Sequence, residues 1–183
     1  ADLDMRMSSI NKKSAYEVVN SYTYDDQRNV LFRYGDLRRA DAMAKTIVAQ
    51  REKSPVKTTT DLKMVLKDFL PKFRENKILA QIYQAIRIEV NQELVAIEEF
   101  LLQTPEIMDK GGRLSLISYH SLEDRLVKRF IRAGSFSGEA EKDFYGNINV
   151  PFKKVGKLIV PSADEIARNS RARSARLRIA ERI

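Results

Sequence analysis

Eight consecutive residues, Ser118-Tyr119-His120-Ser121-Leu122-Glu123-Asp124-Arg125, bring together hydroxyls, an aromatic ring, two carboxylates and the only histidine of the chain. They stand where a short apolar stretch, Arg113–Ser118, ends and an amphipathic helix begins. Histidine can give or take a proton near neutral pH, and an exposed ring can stack on a planar ligand. In open α/β sheets, ligands bind at the carboxyl ends of strands. The location therefore weighs as much as the residue types.

The secondary structure around this run can be read along the chain. The first hundred residues read as an almost all-helical block. Ser14 with Glu17 makes a capping box ahead of Val18 and Val19, and Thr23 with Asp26 repeats the signal ahead of Val30 and Leu31. Asp36 is placed to cap a longer helix that ends before Pro55. Thr58-Thr59-Thr60 precedes a helix from Asp61 to Leu70, halted by Pro71. The apolar positions Ile82, Ala85, Ile86, Val90, Leu94 and Ile97 then predict one long helix from about Lys77 to Leu102.

The character changes at Gly111-Gly112. Arg113–Ser118 and Lys157–Val160 read as strands, and Ser162 caps a short helix between Lys157–Val160 and a final alternating segment, Ser174–Ile183. In the helix Ser121–Arg132, the apolar Leu122, Leu126, Val127, Phe130 and Ile131 share one half of the wheel. Arg125, Lys128, Arg129 and Arg132 form a basic stripe roughly 100° wide on the other. Ser121 is the expected N-cap, with Asp124 at the third helical position of a capping box. The segment 134–151, which holds Phe136, Phe144 and Tyr145, reads as a long functional or mobile loop.

Composition narrows the chemistry. The 183 residues contain no cysteine, which excludes disulfides and thiolate metal sites and suits a reducing compartment. One histidine excludes a histidine-based metal cluster, so no metal is expected. No stretch approaches the roughly 20 apolar residues of a membrane span, and a cytoplasmic location is expected. Of the net charge of +8, residues 1–112 carry +1 and residues 113–183 carry +7. A basic surface confined to one part of the chain is what a phosphate-backbone binder needs. Ordinary solubilising charge is the alternative.

Six blocks occur in order: Leu3-Asp4-Met5-Arg6-Met7, Tyr34-Gly35-Asp36-Leu37-Arg38, Thr58-Thr59-Thr60-Asp61-Leu62, the run Tyr83–Leu94, the run Gly111–Arg125, and Arg171–Glu181. Together they resemble the bacterial MraW family of 16S ribosomal RNA cytidine N4-methyltransferases, end to end. The family usually carries a Thr-Phe pair where this chain has Ile82-Tyr83, a mild ring-for-ring change. The family's Gly-rich loop and its acidic cofactor residues have no counterpart here. The chain's seven glycines form no Gly-x-Gly-x-Gly pattern.

The resemblance therefore implies the C-terminal half of a class I S-adenosylmethionine-dependent methyltransferase, a Rossmann-like α/β sheet preceded by an all-helical inserted domain. Residues 1–10 would be the tail of the sheet domain, 11–75 a helical substrate-recognition insertion, and 76–183 the long helix and C-terminal strands. The implied cofactor is S-adenosyl-L-methionine, held by residues upstream of Ala1. The implied partner is 16S ribosomal RNA within the small subunit, methylated on a cytidine amino group in the decoding region. A paired or swapped homodimer is a further expectation, because an unpaired strand edge invites a second copy.

Under this resemblance Tyr119, His120 and Asp4 are the candidate catalytic residues. Tyr119 would stack the flipped cytosine, or it is a tyrosine packed at a strand end. His120 would bond the base or accept its proton, or it is structural. Asp4 and Arg6 would border the methyl-transfer pocket, or form a structural ion pair. Asp124 is read as a capping residue before a ligand of the exocyclic amine. Gln84, Arg87 and Asn91 share a helix face and read as a polar network joining helical block to sheet. Arg6, Arg125, Lys128, Arg129, Arg132, Arg171, Arg173 and Arg176 are the candidate RNA contacts. A second reading makes the chain a non-catalytic ribosomal RNA-binding module docked through its basic half. A Gly-rich loop upstream in the parent protein discriminates the two.

Overall fold

The computed structural model describes residues 1–8, 10, 12–140 and 150–183. Phe144 and Tyr145 of the expected loop lie outside the described residues. The chain forms two compact units, Ala1–Glu93 and Leu94–Ile183.

The first unit is helical: α1 (Ala15–Ser21), α2 (Tyr24–Gly35), α3 (Ala40–Arg51), α4 (Thr59–Val65) and α5 (Glu75–Asn91). Three starts follow from their caps. Ser14 and Glu17 form a complete capping box, as do Thr58 and Asp61, and Thr23 accepts from the Asp26 amide. Each satisfies amide groups that a helix start leaves open. Asp36 does the reverse of what its type suggests. It adopts the left-handed conformation (φ 51°) and ends α2, while α3 starts at Ala40 without a side-chain cap. A short aspartate tolerates that conformation better than most residues. The helix after Thr58 also stops early, at Val65, and a 3₁₀ turn at Lys67–Phe69 completes the path to Pro71.

Leu31, Ile47, Leu62, Leu66, Ile82 and Ile86 are fully buried in the core of this unit. Leu3, from the N-terminal segment, belongs to the same core. α2 lies close against α5 at Gly35, where a Cβ would come within 3.1 Å of the Gln81 carbonyl oxygen. Gln81 Nε2 donates to the Gly35 carbonyl at 3.0 Å and ties the two helices there.

The expected single helix from Lys77 to Leu102 is two helices. Gln92 takes the left-handed conformation (φ 51°) and ends α5, and α6 (Glu93–Ile107) starts at once. Helical periodicity alone cannot register such a break, because both halves keep their apolar spacing. α6 also runs past its expected end, through Pro105. Proline has no amide to bond the carbonyl four residues back. Here the Thr104 hydroxyl donates to the Leu101 carbonyl at 2.7 Å and takes over that acceptor, and both residues are buried.

The second unit holds a three-stranded antiparallel sheet of order β1-β3-β2, made of β1 (Arg113–Ser118), β2 (Phe152–Ile159) and β3 (Arg176–Arg182). α7 (Ser121–Ala133) follows β1, and α8 (Ala163–Arg168), capped by Ser162, precedes a 3₁₀ turn at Ser170–Ser174. Leu114 and Ala180 face each other in the β1–β3 register and pack with Val127, Phe130 and Ile131 of α7 and with Phe152. This is the mixed α/β arrangement expected, in the form of a small antiparallel sheet.

Candidate functional site

In the second unit the strand β1 ends at Ser118, and α7 begins after His120, not after Ser121. His120 is the N-cap. Its Nδ1 accepts from the Glu123 amide at 3.4 Å, and Glu123 Oε2 accepts from the His120 amide at 3.2 Å. This is a capping box with an imidazole nitrogen in place of the usual hydroxyl. Glu123 Oε2 also accepts from the Tyr119 amide at 2.7 Å. One carboxylate therefore fixes the backbone of both candidate residues. Burial pushes Glu123 up, but the bonds from His120 and from the Tyr119 amide outweigh it and hold the carboxyl below its ordinary range.

The two candidates differ in access. Tyr119 is 57% exposed. The His120 side chain is only 12% exposed, with Nε2 3.2 Å from Glu123 Oε1. Because Nδ1 accepts the cap bond, the imidazole hydrogen sits on Nε2 in the neutral form.

Asp124 is neither a cap nor an exposed ligand. Its carboxylate is buried and gripped by Arg178, with Nε at 2.7 Å and Nη2 at 3.0 Å, and by Arg176 Nη1 at 3.2 Å. Burial raises its pKa, and the two guanidinium groups more than offset that, so it stays below its ordinary value of 3.8. The clamp pins the first turn of α7 onto β3.

Among the expected RNA contacts, Arg125, Lys128, Arg171 and Arg173 are exposed. Arg129 and Arg132 also hold the chain after α7, donating to the carbonyls of Phe136 (3.1 Å) and Gly138 (2.7 Å). Arg176 shares Asp124 yet keeps 47% of its side chain exposed.

In the first unit Asp4 and Arg6 pair with each other through two contacts, at 2.6 and 2.9 Å. The Arg6 guanidinium lowers the exposed Asp4 carboxyl to about 2. Their alternating neighbours do something else. Met5 and Met7 line a cavity of about 570 Å³ with Thr59, Tyr83, Gln84 and Arg87. Met5 sits at φ 59°, a strained value for a non-glycine residue. Asn91 holds it there: its Nδ2 donates to the Met5 carbonyl at 2.8 Å, and its Oδ1 accepts from the Met7 amide at 2.7 Å.

Gln84 and Arg87 also bond within this unit, Gln84 to the Tyr34 carbonyl and Arg87 bidentately to Glu93. The polar row read from the sequence thus braces a cavity wall within the first unit. The alternation in Leu3–Met7 was the available signal for the methionines. Thr59 and Tyr83, distant in sequence, gave no such signal.

A family model described as the MraW methylase family matches residues 1–183. The chain is 62% identical over 183 residues to the ribosomal RNA small subunit methyltransferase H of Flavobacterium johnsoniae, covering all of this chain and 61% of that relative. It is 60% identical, over the same shares, to the protein of that name from Christiangramia forsetii. Identity is 44% to the one from Bacteroides fragilis, covering 98% of this chain and 60% of the relative. The chain spans about three-fifths of the length of the curated relatives it matches.

Proposed function

The chain belongs to the MraW methylase family, and we propose that it is the C-terminal portion of an enzyme that methylates the N4 amino group of a cytidine in the decoding region of 16S ribosomal RNA. The match along the whole chain, to relatives named ribosomal RNA small subunit methyltransferase H, is the observation that carries this reading. In this reading the three described strands are the end of a class I methyltransferase sheet. Further strands join at the outer edge of β1. Residues 11–75 serve substrate recognition.

The proposed methyl donor is S-adenosyl-L-methionine, and the described residues do not make its cradle. A phosphate-free cofactor of this class is held by a Gly-rich turn and acids after a strand, whereas β1 runs into Ser118-Tyr119-His120 and a tight capping box. Holding the cofactor is assigned to the part of the enzyme outside this span.

The chain's own residues would serve the acceptor base. The exocyclic amine of cytosine is a weak nucleophile, so most of the acceleration must come from placing it in line with the methyl group. Tyr119, exposed at the end of β1 and fixed through its amide, offers the stacking surface for a splayed base. His120 has a more constrained part. Nδ1 carries the bond that caps α7 and Nε2 is buried 3.2 Å from Glu123 Oε1, so His120 would serve the base by fixing the turn that presents Tyr119.

Nucleoside mass spectrometry of ribosomal RNA tests the proposal. Cells lacking the gene should lose an N4-methylated cytidine from the small-subunit RNA, and the intact gene should restore it. Unchanged methylation in the deletion strain would sink the reading.

A further inference from the structure

The second unit contains a cavity of about 240 Å³ between α7, β2 and β3, away from Tyr119 and His120 in sequence and in its lining. Lys128 and Arg132 of α7 and Lys154 and Lys157 of β2 surround it. Ile131, Val155 and Leu158 give it apolar walls. Arg178 also reaches it, with its charge already met by Asp124. No carboxylate lines it among the described residues.

The two lysines of β2 are three residues apart. In a regular strand they would point to opposite faces. The β2–β3 register shifts between Val155 and Ile159, and Gly156 sits at φ 65°, a conformation that favours glycine. This bulge brings Lys154 and Lys157 to one cavity, and bulges commonly re-aim side chains in this way beside binding sites. Lys128 and Arg132, four apart, share a face of α7. Four cations are thus gathered around an apolar hollow, where mutual repulsion would otherwise spread them.

We infer that this cavity binds one nucleotide of a single-stranded RNA, with its base against the apolar walls and its phosphates on the four cations. An apolar cavity of about 150 Å³ already accepts benzene, so there is room for a pyrimidine ring. Bases of single strands can be splayed into such hollows, and those of duplexes cannot. The ligand needs a ring and at least one anion together, and a nucleotide supplies both. Arg125 on the same helix extends the positive track beyond the cavity. The inference rests on the reading of this chain as part of a ribosomal RNA methyltransferase, and adds a contact remote from the acceptor residues.

Fluorescence anisotropy of a labelled single-stranded RNA decamer on the full-length protein, across a salt series, separates the two parts of the site. Lys154→Glu with Lys157→Glu should weaken binding about tenfold or more and flatten the salt slope by about 0.7 for each phosphate no longer neutralised. Leu158→Ser should weaken binding about tenfold by removing an apolar wall from the base, while leaving the slope unchanged. Melting temperatures report that each variant is folded. If wild-type protein binds the decamer and both variants bind it equally well, this inference falls and the enzyme reading stands. If wild-type protein binds no RNA decamer at all, this inference falls, and the enzyme reading is decided by the methylation of small-subunit RNA. A slope change from the lysines with no effect of Leu158→Ser overturns the base-binding part. Displacement of the decamer by equimolar cytidine monophosphate or by inorganic phosphate marks a free-ligand site and overturns the RNA assignment. So does lysine-dependent binding to phosphatidylglycerol vesicles with RNA affinity intact.

Discussion

At the scale of single residues, Asp124 shows how burial and charge decide a role that residue type leaves open. A carboxylate at the third or fourth position of a helix suggests a cap. Two arginines of β3 claim it instead, at a sequence distance of more than 50 residues. Asp124→Asn should destabilise the protein by about 2–3 kcal/mol at pH 7, since it leaves Arg178, itself largely buried, without its counter-charge. The sign with pH follows from the lowered pKa. The carboxylate contributes its full stability above the ordinary value of 3.8, and loses it as pH falls through its lower folded value. Denaturant melts at pH 7 and pH 3 should therefore show the gap between wild type and variant narrowing in acid.

Asn91 is the matching case in the first unit. Asn91→Ala removes both bonds that hold Met5 at positive φ. The variant should lose about 1–3 kcal/mol of stability. If the methionine-lined cavity serves the substrate, methyl transfer by full-length protein should fall well beyond the loss of folded material. Thermal melts beside turnover measurements separate the two effects.

Elements were legible where the signal is local. Ser14, Thr23, Thr58 and Ser162 start helices as their types and spacings predict, and Arg113–Ser118 is a strand with the expected bounds. The failures share a cause: a local signal with two structural answers. Asp36 can start a helix or end one, and tertiary packing selected the end. Gln92 breaks α5 from α6 without disturbing the apolar spacing, and Thr104 lets α6 continue through Pro105. At α7 the cap is one residue earlier than expected because His120 is not among the usual capping types. Single walls of the cavities were legible, in the Leu3–Met7 alternation and the basic stripe of α7, but the cavities themselves were not, since each is lined from segments far apart in sequence.

The α7 start carries its own prediction. Glu123 accepts from the amides of Tyr119 and His120 and lies against the imidazole. Glu123→Ala should cost about 1–2 kcal/mol, as removal of a cap does. Hydrogen exchange at the Tyr119 and His120 amides should accelerate more than exchange in the middle of the helix. Glu123→Gln, which keeps an acceptor oxygen, should restore most of the protection. Unchanged exchange in Glu123→Ala would show that another group fixes these residues.

For the whole molecule, the charge read along the chain looks different once the units are known. Residues 1–93 carry 17 basic against 13 acidic side chains, and residues 94–183 carry 16 against 12, so each unit has net +4. The asymmetry seen at residue 112 lies inside the second unit. Glu98, Glu99, Glu106 and Asp109 belong to α6 and the turn after it, while the cations gather on α7, β2, β3 and the 3₁₀ turn. The proposed division of labour also predicts that the 183-residue chain alone binds S-adenosyl-L-methionine weakly or not at all by calorimetry, whereas full-length protein binds it stoichiometrically. Tight binding by the short chain would move the cofactor site into the described residues.

The most direct measurement is single-turnover methyl transfer by full-length protein to small ribosomal subunits, with saturating methyl donor and thermal melts of each variant alongside. With Tyr119 stacking the cytosine, Tyr119→Phe should keep most of the rate and Tyr119→Ala should lose it by roughly tenfold or more, in line with the worth of one stacked base. His120→Ala should slow transfer while leaving donor affinity nearly unchanged. Full rates in both alanine variants, or rates that fall only in step with folded protein, would contradict the placement of the acceptor site at the end of β1.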